Sequence, residues 1–274
     1  MHCFVYALLI VSLVQTECSL RLGSFNVQIL GVKKISKPTV FQTLLKILLR
    51  YDLIVIQEVR DLRGFAFQKL LAELNKQTDG AYGGILSKRL GRTSSKEQYA
   101  VFYKPTKLTI NDMGIFADPS DRYERPPMHF IVKPKSKVIP VFGMVTVHLD
   151  PDDVIQEMKT LYRTVENYRR CKRLQNVLIV GDMNLDCSYA PARERSTLSF
   201  HTNPSYFWLI SDRHDTTVSK NVCAYDRMIA YGSRLLKAIG NKKAEVYRFD
   251  EDLHLTNKQA KLISDHYPIE VTFE

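Results

Sequence analysis

Six short apolar runs in this chain each carry acids, amides or imidazoles at one end, and the end they occupy restricts the sheets the chain can build. The runs are SFNVQ (24–28), LIVIQEVRD (53–61), VFGMVTVH (141–148), NVLIVGDMN (176–184), YDRMIAYG (225–232) and SDHYPIEVTF (264–273). Val, Ile, Leu, Phe, Tyr and Met dominate inside them, as in strands buried in a sheet. Glu58, His148 and Asp182 follow their apolar stretches, whereas Asp226 and His266 precede theirs. One rim holding all five needs strands running in both directions. This argues against an all-parallel doubly wound sheet, despite the alternation of helical and strand patterns. The expected fold is α/β, with mixed or antiparallel sheets covered by helices on their outer faces.

Such a rim would gather Asn26, Glu58, His148, Asp182, Asn184, Asp226, Asp265 and His266, a set of four carboxylates, two amides and two imidazoles. That inventory suits metal-assisted hydrolysis of a phosphate ester. Glu58 closes a buried strand, where a carboxylate is fixed well enough to bind a hard divalent ion; the other reading is an acid paired with Arg60 or Arg63. In GDMN, Gly181 lets the backbone turn, Asp182 faces a metal or phosphate and Asn184 bonds a phosphoryl oxygen, unless the segment is only an Asx turn. His148 and His266 sit at the edges of two runs and form a divided acid–base pair: one imidazole activates water while the other protonates the leaving alkoxide. Each needs a carboxylate to hold its tautomer, and Glu97 and Asp226 remain for that task.

The charge agrees with a phosphate-rich substrate. Among 274 residues, 39 Lys and Arg oppose 29 Asp and Glu, a net charge of +10. Basic groups concentrate at 33–37, 88–92, 133–137, 163–173 and 237–243. Any one cluster alone reads as a solvated surface, but together with an acidic rim they point to a nucleic acid. Near the start, Phe4 to Val14 is apolar but shorter than the ~20 residues a spanning helix needs. Thr16, Cys18 and Ser19 follow, so residues 1–19 read as a secretory signal, with a core strand or an uncleaved anchor as the other readings. Residues 20–274 hold no linker, repeat or low-complexity tract and make one catalytic domain of roughly 255 residues. In an oxidising compartment one pair among Cys171, Cys187 and Cys223 closes. A Cys187–Cys223 bridge would tether the loop between two rim strands, and Cys171 reads as a half-buried thiol.

The ordered set SFN, QEVRD, LGRTSSKEQY (90–99), RP, VHL, GDMNLDCSY, DTTVSKNVCAYDR and ISDHYP resembles the secreted deoxyribonuclease I family of the endonuclease/exonuclease/phosphatase superfamily, from Leu20 to Glu274. The resemblance implies a four-layer sandwich of two packed mixed or antiparallel sheets flanked by helices. It implies a metal site of Glu58, Asn26, Asp182 and Asp265, and an acid–base pair of His148 and His266 held by Glu97 and Asp226. Arg60, Arg125, Asn184 and Tyr189 become substrate contacts, and Cys187–Cys223 the disulfide. The implied reaction is endonucleolytic cleavage of DNA to 5′-phosphorylated ends with Mg²⁺ or Mn²⁺, with structural Ca²⁺ at Asp215, Thr217, Ser219 and Asn221. Ser95 stands where relatives place an aromatic residue, Pro126 where they place an acid, and Gly84 to Leu86 where they bind actin. Actin binding is therefore not carried over, and a secreted monomer without stable membrane association is expected. Two other readings stay open: another phosphodiesterase or phosphatase of the superfamily, and a non-catalytic cationic nucleic-acid-binding protein.

Overall fold

The computed structural model describes residues 19–240 and 244–274. The apolar stretch read as a secretory signal lies outside the described residues, as do the last basic residues of the 237–243 cluster.

Among the described residues, twelve strands form two six-stranded sheets. The first holds β1 (Leu20–Leu30), β2 (Leu53–Val59), β3 (Gly83–Leu86), β4 (Gln98–Tyr103), β11 (Glu245–Val246) and β12 (Ile269–Phe273), in the order β11-β12-β1-β2-β4-β3. The second holds β5 (Leu108–Ile115), β6 (Met128–Pro134), β7 (Phe142–His148), β8 (Val177–Asp182), β9 (Tyr206–Trp208) and β10 (Asp226–Tyr231), in the order β5-β6-β7-β8-β10-β9. Among these strands β1–β2 and β7–β8 are parallel pairs, and the other neighbours are antiparallel. The expected mixed sheets are thus observed, with β10 and β12 reversed against β8 and β1 as the polar strand ends require.

Burial on both faces explains why the central strands are apolar throughout rather than alternating. Leu22, Val55, Phe130, Phe142, Leu178, Met228 and Val271 fill the space between the sheets. The helices Pro38–Leu49, Phe65–Gln77 and Asn257–Ile263 cover the outer face of the first sheet. The helix Val154–Cys171 covers the second through Val154, Met158, Leu161, Val165 and Tyr168, a spacing of four and three that lines one helical face. Four layers result. A proline opens the helix Pro38–Leu49, where its missing N–H costs nothing, and Thr256 with Gln259 caps the helix Asn257–Ile263 reciprocally.

The strand ends that carry the polar residues depart from regular geometry. Pairing of β1 with β2 slips between Asn26 and Leu30, and pairing of β2 with β4 slips between Ile56 and Val59. Gln28, Ile29, Glu58 and Asn184 have positive φ of 44°, 58°, 58° and 48°. Such conformations strain residues with a Cβ and persist only where surrounding contacts impose them. At Gly181, φ is 142° and a Cβ would collide with the Val147 carbonyl, so only glycine lets β8 lie this close to β7 just before Asp182.

Candidate active site

Both imidazoles sit on one rim, each held by a carboxylate from the opposite sheet. His148, the last residue of β7, bonds through Nδ1 to Oε2 of Glu97, just before β4, at 2.7 Å. His266, before β12, bonds through Nδ1 to Oδ2 of Asp226, the first residue of β10, at 2.7 Å. The two pairs therefore stitch the sheets together at the rim and fix both rings with Nε2 free of the holding acid. Asp182 stands between them: its Oδ2 is 3.6 Å from Nε2 of His148 and 3.6 Å from Nε2 of His266.

Neighbouring backbone and side chains lock this arrangement. Tyr99 Oη accepts the His148 N–H at 3.0 Å, and Ser264 Oγ accepts the His266 N–H at 3.0 Å while donating to the Asn26 carbonyl. Thr217 bridges to His266, and the Tyr267 N–H donates to the Thr216 carbonyl at 2.7 Å. Asn26 Nδ2 donates to Glu58 Oε1 at 3.1 Å and to Asp182 Oδ2 at 2.9 Å. The Asn184 N–H reaches Asp182 Oδ1 at 3.0 Å, and its side chain donates to the Leu149 carbonyl at 2.9 Å. Gln28 Nε2 donates to Asp265 Oδ2 at 2.9 Å.

Glu58, Arg60, Arg125, His148, Asp182, Asn184, Tyr189, Asp265 and His266 all line one cleft of about 540 Å³. Glu97, Asp226 and Asn26 are buried behind it. Arg60 lines the cleft and pairs with Glu97 at 2.6 Å and with Glu58 at 3.3 Å, so the ion pair read as an alternative for Glu58 is present. Arg125 is anchored to the His148 and Leu149 carbonyls at 3.0 and 3.2 Å. Thr93, Glu124, Asp150, Pro151 and Tyr225 also line the cleft, and the sequence reading did not single them out for it. Tyr225 carried a sequence signal, since it lies in the DTTVSKNVCAYDR segment; its ring lies tilted beside that of Tyr189 at 5.2 Å.

The electrostatics follow from burial and partners. Burial alone would drive the His266 proton off, but Asp226, Asp182 and Asp265 outweigh it and raise the imidazole to about 10. Burial likewise works against ionised Asp182, yet both imidazoles, Asn26 and the Asn184 N–H hold it below the usual carboxylate range. Glu97 is also lowered: burial opposes its charge, while the bond to His148 and the nearby Arg125 and Arg60 win.

A metal fits the cleft-facing oxygens. The tightest acid–imidazole group among the described residues is Asp182, Asp226 and His266, with ligand atoms within 4.8 Å of one another. Asp226 and Nδ1 of His266 are already bonded to each other, however, and Asp226 is fully enclosed. Glu58 and Asp182, joined through Asn26 and open to the cleft, are the better hard-ion donors.

The disulfide joins Cys187 and Cys223. Beside it, Asp215 Oδ1 accepts from the Thr217 N–H at 3.0 Å, the Thr217 hydroxyl lies within reach of Asp215 Oδ1 at 3.1 Å and of the Asn221 carbonyl at 3.0 Å, and Ser219 donates to that carbonyl at 2.9 Å. These bonds draw the oxygens of Asp215, Thr217, Ser219 and Asn221 together in one loop. Cys171 is exposed rather than half-buried because it ends its helix on the solvent side. Replacing Cys187 and Cys223 by serine is expected to cost about 4 kcal/mol by the loop-entropy relation, for a sequence separation of 36. Urea unfolding measures it, and an unchanged midpoint would show that the loop is held by other contacts.

Two packed mixed sheets with paired imidazoles on one rim define a class. Residues 23–266 match the Endonuclease/Exonuclease/phosphatase family. The same fold occurs in an endonuclease/exonuclease/phosphatase from Bacteroides vulgatus, with 16% identity, coverage of 93% of this chain and 98% of that one, and a TM-score of 0.62. Deoxyribonuclease-1 of Rattus norvegicus is 38% identical, covering 97% of this chain and 95% of its own length. Deoxyribonuclease-1 of Bos taurus is 34% identical over 97% and 96%. The chain belongs to the deoxyribonuclease I family of that superfamily and is a hydrolase.

Proposed function

We propose that the protein is a secreted endonuclease that hydrolyses DNA phosphodiester bonds to 5′-phosphorylated products, with His148 and His266 as its acid–base pair. One observation carries this reading: two carboxylate-held imidazoles present Nε2 to the same Asp182 oxygen at 3.6 Å. A phosphate seated above that oxygen meets both rings. One ring accepts the proton of the attacking water while the other gives its proton to the leaving 3′ oxygen. Glu97 and Asp226 keep each ring in the required tautomer. Arg60, Arg125, Asn184 and Tyr189 position the substrate along the cleft.

Glu58, Asn26, Asp182 and Asp265 would hold Mg²⁺ or Mn²⁺, which neutralises charge developing on the phosphoryl oxygens. Its charge beside Asp182 and Asp265 would weaken their pull on His266 and lower that imidazole from about 10 toward the range where a group can both take and give a proton. Asp215, Thr217, Ser219 and Asn221 would hold a structural Ca²⁺ that braces the Thr217–His266 bridge. Secretion is supported by the apolar start of the chain and by the disulfide. The protein is read as a monomer with DNA as its partner, and actin binding is not part of this reading.

Plasmid nicking with Mg²⁺ and Ca²⁺, with and without EDTA, tests the proposal. Nicking is expected to stop on chelation and to slow at least about tenfold between low and moderate NaCl, because phosphate contacts are chiefly electrostatic. Binding without nicking would favour a non-catalytic role. Nicking that ignores NaCl would show that the basic clusters do not meet DNA.

A further inference from the structure

We propose that this protein docks on anionic lipid membranes through an apolar, basic-rimmed surface beside the cleft. Of the eleven large hydrophobic side chains exposed among the described residues, five fall on three adjoining segments: Ile29 (53% exposed), Val32 (50%), Leu62 (75%), Phe65 (50%) and Leu262 (46%). Hydrogen bonds join the segments. The Arg60 N–H donates to the Leu30 carbonyl at 2.8 Å, linking residues 28–32 to 60–65. Lys34 Nζ donates to the Val27 and Ile263 carbonyls, both at 2.7 Å, linking the first segment to the end of the helix Asn257–Ile263. Ile29 is exposed although its φ of 58° is costly for a β-branched residue. Its N–H is held by Glu58 Oε2 at 2.9 Å.

Exposed cations rim these side chains. Lys33, Lys37, Arg63 and Lys261 lie on the same or adjoining residues, and none is in an ion pair among the described residues. Of the three acids nearby, one is turned away and two sit at the cleft edge of the surface, Glu58 on the Ile29 N–H and Asp265 on Gln28 Nε2. Asp61 turns inward to accept the Arg63 and Ala66 N–H groups at 3.1 and 2.6 Å, while Glu58 and Asp265 line the cleft.

This chemistry selects the occupant. Single exposed apolar residues are ordinary, but a contiguous group marks a contact surface. A DNA backbone would satisfy the cations and leave five apolar side chains in water. A neutral apolar protein face would do the reverse. A bilayer with anionic headgroups satisfies both, the apolar tips entering the headgroup–acyl boundary and the cations meeting phosphate or carboxylate. From the sequence no stable membrane association is expected; this surface is assembled from three separate segments and has no signature in any one of them. It goes beyond the nuclease reading and does not depend on it.

Sedimentation with large unilamellar vesicles tests the surface. The wild-type protein is expected to partition at least about tenfold more onto phosphatidylcholine containing phosphatidylserine than onto phosphatidylcholine alone. Leu62→Glu with Phe65→Glu, purified in the same form, is expected to lose that binding while nicking free plasmid at the wild-type rate. Should that variant fold poorly, Leu62→Ser with Phe65→Ser reads the same loss. Equal sedimentation of wild type and variants overturns the proposal, as does equal partition onto neutral and anionic vesicles. Capture by monomeric actin that the variants lose, with no vesicle binding by the wild type, also overturns it and assigns the surface to a protein partner.

Discussion

Replacing His266 by alanine is expected to lower DNA cleavage by at least about a hundredfold, the range for a lost general acid or base. His148→Ala should do the same. Each ring is held by one carboxylate at 2.7 Å and its residue by a backbone N–H bond to Ser264 or Tyr99, so each Nε2 is fixed toward the cleft and alanine leaves that position without an imidazole. The loss is expected in turnover, because the cleft-lining Arg60, Arg125 and Tyr189 proposed to hold the substrate are left in place. Initial nicking rates and duplex binding, measured together, separate the two. A variant that binds DNA normally and cleaves within about threefold of wild type would remove that ring from proton transfer.

Asp182→Asn is expected to cost about a thousandfold or more. The substitution keeps the shape, yet it removes the charge that lies 3.6 Å from both imidazoles and shares Asn26 with Glu58. It has a second readout. His266 is raised to about 10 against burial by Asp226, Asp182 and Asp265, so deleting one of these charges must move its titration downward. NMR titration of the His266 ring in the metal-free protein follows this directly. An unchanged ring titration, or near-normal turnover, would show that Asp182 is not the shared centre.

The direction of the strands was legible because it rests on local pattern. Acids and imidazoles placed after some apolar runs and before others demanded antiparallel neighbours, and β10 and β12 supply them. The rim itself was legible too, since Glu58, His148, Asp182, Asn184, Asp265 and His266 all reach one cleft. Partner assignment was not. Glu97 and His148 are 51 residues apart and lie on different sheets, and only sheet packing brings them to 2.7 Å. The resemblance implied that pairing; spacing alone left it open. The left-handed turns at Ile29 and Glu58 gave no signal either, because neither residue type favours positive φ and only the slipped pairing of β1 and β2 imposes it. Strand boundaries shifted for a related reason: His266 lies outside β12 and is placed by a bridge to Thr217, a contact made by a loop.

The position of a bound phosphate tests the whole account most directly. In a crystal of the Asp182→Asn protein with an uncleaved duplex, one phosphate is expected to place oxygens within about 3 Å of Nε2 of both His148 and His266. A duplex whose backbone touches only one ring, or crosses the molecule away from this rim, would contradict it.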